Sequence, residues 1–332
     1  PVGSLTFLGP LMILPFSDKL SHIIFSLLLV RIIEWIANFL FCARVVPDML
    51  KRIRLEYSKV ITLLRFGGWI SISNVCGPAM LYADRLIIGS VISVSAVSYY
   101  ATSFEIISRL MIIPGAIVGV LFPAFAAVIR SNPSKAITLC FGGIKYTFIL
   151  ICPLLVIIFI CAHEGLNVWL GEEFAARGAR VLQWLVIGAF MVSLSYFPSA
   201  LLHAAGRPDL TAKLHLIESS IYILALWILI DRYGIEGAAI AWVARAILDN
   251  IVLFSMAGRI LNINYPKLQI LLNTSIVLAL LFGSMLLPEN LNFKLGYTAI
   301  VIGCLLVFSW KKILTCEEKS LVLSYFDKFK TS

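Results

Sequence analysis

Four pairs of charged residues stand inside long apolar runs: Arg31 with Glu34, Asp84 with Arg85, Glu105 with Arg109, and Arg245 with Asp249. A charge at the centre of a bilayer costs about 2.5 to 3.5 kcal/mol on insertion scales, so each needs a reason to be there. Glu105 and Arg109 are four apart, as are Arg245 and Asp249, and share a helical face. Arg31 and Glu34 are three apart and do the same. Asp84 and Arg85 are adjacent, point to different faces and must find partners elsewhere. Two chemistries suit such pairs: salt bridges between helices, or a water-filled cavity that keeps several cations solvated. A rise of 1.5 Å per residue sets Arg31, Arg109 and Arg245 at similar depth, about 12 to 18 Å below one surface, which favours the cavity. Asp84 and Arg85 lie nearer the end of their helix. A guanidinium donates two parallel hydrogen bonds to a phosphate, so Arg31, Arg85, Arg109 and Arg245 read as contacts for an anion. Glu34, Asp84, Glu105 and Asp249 would orient them and keep binding reversible.

The elements that position these groups are membrane spans. The chain is 60% hydrophobic and 14% charged, with a mean hydropathy of +0.96, too little polar sequence to cover a soluble globule of this length. Ten apolar segments are legible, at 1–16, 20–42, 66–92, 97–129, 138–162, 180–202, 213–230, 236–257, 267–287 and 293–310, each near the roughly 20 residues a span requires. The expected fold is therefore an all-α polytopic membrane protein with about ten transmembrane helices. Lys and Arg concentrate on alternate connections, with 18 on one side and 5 on the other. That bias places the 44–65 connection and the C-terminus in the cytoplasm. The net charge of +9 is explained by this loop bias; no basic stripe with interleaved aromatics suggests nucleic acid. Cys42, Cys76, Cys140, Cys152, Cys161, Cys304 and Cys316 sit singly, without metal-ligand spacing. The opening "PVGSLTFLGPLMILPF" has neither Met nor a charged flank, and reads as a chain beginning inside a helix.

The stretch "FGGWISISNVCGPAMLYADRLIIGSVISVSAVSYYATSFEIISRLMIIPGAIVGVLFPAFA" resembles the start of the second lobe in the Wzx-type oligosaccharide flippases of the multidrug/oligosaccharidyl-lipid/polysaccharide exporter superfamily. "HAAGRPDLTAKLHLIESSIYILALW" and "YGIEGAAIAWVARAILDNIVLF" are similar to that family's connection and following helices. The likeness is specific over roughly 60 to 260. It implies a parent of two six-helix lobes around a central cavity, plus two final helices. Mapped here, 1–43 closes a truncated first lobe, 44–65 is a basic cytoplasmic linker, and 66–258 is the second six-helix lobe. Residues 259–312 form the extra helix pair, and 313–332 a cytoplasmic tail. The implied cargo is a polyprenyl-diphosphate-linked oligosaccharide, carried across the bacterial inner membrane by alternating access for surface polysaccharide such as O-antigen. No cofactor or metal is implied. Membrane lipid, glycan polymerase and chain-length machinery are the implied partners.

Gly77-Pro78 and Pro114-Gly115, with Pro123, are expected to break helical hydrogen bonding and let the lobes rock; Ser73 and Asn74 would cap the groups freed at the first break. "GIEGAAIA" offers small residues for close helix approach. Glu218, with Tyr222 four residues on, and His163, His203 and His215 fall near segment ends and read as interfacial. No phosphate-cradling GxxxxGK[ST] loop is present, and no HExxH, GxSxG or HxxxxD pattern, so the protein reads as a transporter and not an enzyme. The rival readings are a cation-coupled multidrug exporter of the same superfamily and, less favoured, a polytopic glycan polymerase or acyltransferase.

Overall fold

The computed structural model describes residues 20–45, 57–261, 283, 291–313 and 318–320. The expected segments at 1–16 and 267–287 fall outside them, except Gly283, as do half of the 44–65 linker and most of the 313–332 tail. The chain divides into two compact units, residues 1–64 and 65–332.

In the first unit, α1 (Leu20–Val45) is apolar on nearly all faces. Ile24, Phe25, Leu28, Ile33 and Trp35 are exposed, as suits a helix whose solvent is lipid. Arg31 donates to Glu34 at 3.1 Å, one turn along.

The helix α2 (Tyr57–Val91) runs through Gly77-Pro78 as one element. The second unit continues with α3 (Val94–Leu110), α4 (Ile112–Val128), α5 (Pro133–Ile160), α6 (Ala162–Leu170), α7 (Glu172–Ala204), α8 (Pro208–Leu261) and α9 (Leu291–Phe308), the last ending in a π turn at Ser309–Ile313. Every regular element among the described residues is helical, as expected for a chain that must satisfy its backbone within each span. Local chemistry sets the ends. Ser93 accepts from the Ala96 N–H to cap α3, and Asn132 accepts from Lys135 ahead of Pro133 to cap α5. The run 97–129, read as one segment, is two helices meeting at Met111. Pro114 has no N–H to give the Leu110 carbonyl, and the turn tightens there, with Met111 N–H donating to Ser108 O at 3.2 Å. The connection expected after 162 contains α6, closed by Gly171 at φ 89°.

Among the described residues, seven helical stretches are long and apolar enough to cross a membrane. One of them, α8, has 54 residues, roughly 80 Å at 1.5 Å per residue and far beyond a 30 Å core. It is two crossing arms joined at Gly234, where φ 59° and ψ −140° leave the helical region. That conformation is open essentially to glycine alone. Gly237 completes the joint, because a Cβ there would stand 2.0 Å from the Leu229 carbonyl oxygen. With the arms counted separately, eight of the ten expected segments correspond to observed helices.

The centre of the unit is α7. Val181, Leu185, Val186 and Ala189 are fully buried on it, and α3, α4, α5, α6 and α8 pack around it. Bilayer proteins gain little from moving apolar surface out of lipid, so close packing and interhelical hydrogen bonds carry the assembly. The small residues of the second α8 arm allow that packing: Ala238, Ala239 and Ala246 are fully buried, and Trp242 lies where any Cβ on Gly188 would intrude. Asn250 donates to the Met191 carbonyl at 2.7 Å, and Gln183 to that of Phe159 at 3.1 Å. Lys294 of α9 reaches Glu164 of α6 at 2.6 Å, and Lys145 of α5 reaches Glu318 at 2.6 Å.

Candidate functional site

Three polar clusters are built from the intramembrane charges, and they differ in kind. The first is Asp84. Its side chain is fully buried, and the hydroxyls of Tyr100 and Tyr222 donate to its two oxygens at 2.7 Å and 2.6 Å. The acid thereby fastens α2 to α3 and to the first arm of α8. Sequence adjacency indicated that Asp84 cannot pair with Arg85; it gave no sign of two tyrosines, one of them 138 positions away.

The second cluster is where Arg85 goes. Its guanidinium approaches Glu105 at 3.7 Å, and Arg109 approaches the other oxygen of Glu105 at 3.5 Å. Glu105 thus bridges α2 and α3, beside the Tyr82 ring under Arg85. The Arg109 side chain is 78% exposed, so this pairing sits at the rim of the bundle and not in its interior.

The third cluster carries the site. Arg245, on the second α8 arm, stands 3.9 Å from Glu218 on the first and lies over the Tyr222 ring. Asp249, one turn beyond Arg245, is beside Ser195 of α7. The donor atoms of His215, Glu218 and Asp249 all lie within 4.8 Å of one another. Glu218 and Asp249 are each 7% exposed, and neither Glu218 oxygen nor Asp249 Oδ1 has a hydrogen-bond donor among the described residues. The spacing of the three residues would suit a metal ion, and Arg245 stands against Glu218 as a cation of the protein's own. Glu218, read as interfacial, is buried among the helices, and His215 is half-buried beside it. Spacing was a signal for the cluster, since His215, Glu218 and Tyr222 fall at i, i+3 and i+7 on one helical face.

A cavity of about 660 Å³ opens beside this cluster, lined by Gly77, Gly115, Tyr196, His203, His215, Arg245 and Asp249, among others. A second, of about 230 Å³, adjoins it through Gly77, Met80, Val192, Tyr196 and Arg245. Of the four arginines singled out in the sequence, Arg245 is the one on these walls; Arg85 and Arg109 lie off them, and Arg31 belongs to the other unit. Gly77 and Gly115 are wall residues, whereas Pro78 is exposed and Pro114 buried. The Ser73 hydroxyl expected to cap the break at Pro78 has no hydrogen-bond partner among the described residues. His203 is tied to the Thr211 hydroxyl at 2.9 Å.

A bundle of long apolar helices with charged side chains on an open cavity between them defines an all-α polytopic membrane protein with a polar site between its helices. Comparison with known proteins narrows this. A family model described as "Polysaccharide biosynthesis protein" matches residues 20–178. A Shigella flexneri protein provisionally named an O-antigen transporter is 30% identical over 244 residues, 72% of this chain and 56% of that protein. A Haloferax volcanii protein provisionally named a low-salt glycan biosynthesis flippase is 23% identical over 232 residues, 69% of this chain and 49% of that one. An uncharacterized membrane protein of Methanocaldococcus jannaschii is 22% identical over 222 residues, covering 65% and 43%. The chain is a relative of the Wzx-type polysaccharide flippases, as its own motifs indicated. It spans about half the length of the curated relatives it matches.

Proposed function

We propose that the protein takes part in translocating polyprenyl-diphosphate-linked oligosaccharide repeat units across the bacterial cytoplasmic membrane, by alternating access. The observation that carries this is Arg245 on the wall of a membrane-embedded cavity, with carboxylates that can release it. A diphosphate joins the lipid to the glycan in such a cargo, and a guanidinium binds it through two oxygens at once. Arg85 and Arg109, tied to Glu105 at the rim, would attract the head group on approach, and Arg31 with Glu34 would add an anion contact within the first unit. Asp84 serves as an anchor for the helices that carry the arginines. Bending near Gly77-Pro78 and Pro114-Gly115, where both glycines face the cavity, would open it to either side in turn. Charge bias puts the C-terminus in the cytoplasm, and polymerase and chain-length machinery would act on the repeat unit after it is flipped.

The test is made in cells lacking the gene, by measuring the amount and leaflet of the polyprenyl-diphosphate-linked repeat unit. Accumulation on the cytoplasmic leaflet with loss of surface polysaccharide is expected. Normal intermediates with normal surface glycan would remove the proposal. One feature favours a multidrug exporter instead: Glu218 and Asp249 are acidic residues beside a cavity that also presents Phe122 and Tyr196, a lining suited to cationic aromatic drugs. Altered drug susceptibility with unchanged glycan would decide for that reading.

A further inference from the structure

Two chambers share a wall at Arg245, and they differ in kind. The larger, of about 660 Å³, falls within the roughly 300 to 1,000 Å³ of small-molecule sites. It alone is lined by Ser195, Ser199, His203, His215 and Asp249, groups that pair with hydroxyls. The smaller, of about 230 Å³, lies below that range and has room for a fragment of a ligand. It alone is lined by Phe104, Ser108, Met111 and Trp242, and Met80 and Val192 close it on the shared side. The Ser108 hydroxyl already donates to the Glu105 carbonyl at 2.9 Å. Trp242 and Phe104 meet edge to face at 5.5 Å and are 6% and 8% exposed, so neither presents an open ring face to the C–H face of a sugar. A glycan there would bury hydroxyls without partners, whereas methionines mould themselves to an irregular, methyl-bearing chain.

The small chamber lies between α2, which gives it Gly77 and Met80, and α3, which gives it Phe104, Ser108 and, at its end, Met111. These helices are fastened beyond it, where Tyr100 donates to Asp84 and a Cβ on Gly89 would touch Val97 at 3.3 Å. Toward Gly77 they part: a Cβ there would meet nothing within 4 Å, and no described side chain from 66 to 79 is buried. Chain, diphosphate and glycan follow one another in a lipid-linked sugar, and an apolar chamber, a guanidinium and a hydroxyl-pairing chamber follow one another here. We propose that the small chamber holds the first isoprene unit of the cargo while Arg245 holds the diphosphate and the larger chamber the glycan, the rest of the chain leaving for the bilayer between α2 and α3. Arg245 then marks the joint of the cargo, and the lipid is recognised by side chains other than those that meet the sugar. The inference rests on Arg245 being the anion contact.

The experiment uses the full chain in lipid nanodiscs and measures calorimetric affinity for inorganic diphosphate, geranyl diphosphate and glucose 1-phosphate, with empty discs as the blank for partition into lipid. Geranyl diphosphate is expected to bind wild type at least about tenfold tighter than inorganic diphosphate, because its first isoprene unit leaves water. Ser108→Phe fills the small chamber from a residue whose hydroxyl bonds within its own helix. It should remove that advantage and leave inorganic diphosphate and glucose 1-phosphate unchanged. Ser108→Leu, each variant being checked by thermal melting, keeps the comparison available if the larger side chain prevents folding, and the wild-type comparison of the two diphosphates needs no variant. Equal affinity of wild type for both diphosphates overturns the chamber's assignment, as does an advantage that survives a filled chamber. Loss of glucose 1-phosphate binding in Ser108→Phe, with geranyl diphosphate spared, gives the chamber to the sugar and overturns it too. In each of these outcomes Arg245 still stands. If R245Q binds inorganic diphosphate as tightly as wild type, or wild type does not bind it, the anion contact itself fails and the chamber's assignment fails with it.

Discussion

Two buried acidic centres lie within one bundle and could hardly be more different. Asp84 has a hydroxyl on each oxygen, and its donors come from two other helices; nothing about it is left to change. Among the described residues, Glu218 and Asp249 share one guanidinium, leave oxygens without donors and border a cavity. Low dielectric makes a satisfied polar network rigid and an unsatisfied one costly. The first therefore reads as a fastening and the second as the part that responds.

The comparison breaks most readily at its rigid end. Asp84→Ala leaves two buried tyrosine hydroxyls without an acceptor and is expected to lower stability by about 2 to 4 kcal/mol, seen as a large drop in melting temperature of the detergent-solubilised protein. A wild-type melt would contradict the fastening role. Gly234→Ala forces a side chain into a positive-φ joint and should cost about 1 to 3 kcal/mol by the same assay, while leaving the cluster's residues unaltered. Tyr222→Phe removes one of the two donors to Asp84 for about 1.5 to 3 kcal/mol. Combined with Asp84→Asn it should show a clear non-additive term in a double-mutant cycle. At the responsive end, Glu218→Gln should change melting by less than about 1 kcal/mol in either direction, since the desolvation of the carboxylate roughly offsets its attraction to Arg245 and Asp249 remains one turn along to answer the guanidinium. A destabilisation as large as that of Asp84→Ala would erase the distinction between the two centres.

The smallest effect belongs to the ion pair between α6 and α9. Burial is the largest influence on Glu164 and works against its charged form, but the hydrogen bond from Lys294, a backbone hydrogen bond and the charge of Lys294 together outweigh it, and the carboxyl is held below its ordinary range. A depressed carboxyl stabilises the fold above its unfolded value, near pH 4.5, and that contribution is lost as the pH falls through the lower folded value. Solvent screening limits it to about 1 kcal/mol or less. Melting curves between about pH 3 and 6 should therefore converge for wild type and Lys294→Ala at the acid end.

The spans were legible because length and apolarity decide them, and Pro114 announced a break that appears at Met111, one turn before it. The pairs written into local spacing, Arg31 with Glu34 and Glu105 with Arg109, form as expected. What spacing could not supply are partners brought together by the fold: Tyr100 and Tyr222 on Asp84, and Glu218 opposite Arg245 across the joint of α8. The small-residue run after Gly234 was readable as a packing face, but not that it would pack on α7.

The joint at Gly234 bears on how the protein is made. No loop separates the two arms of α8, and the polar tip formed by Asp231, Arg232 and Glu236 is the one place where they can turn. So short a joint favours entry of the two arms into the bilayer together, as a hairpin leading with that tip. Glu218 rides on one limb and Arg245, with Asp249 one turn on, rides on the other, so Glu218 would reach hydrocarbon with a cation opposite it. The first arm alone would present a naked carboxylate.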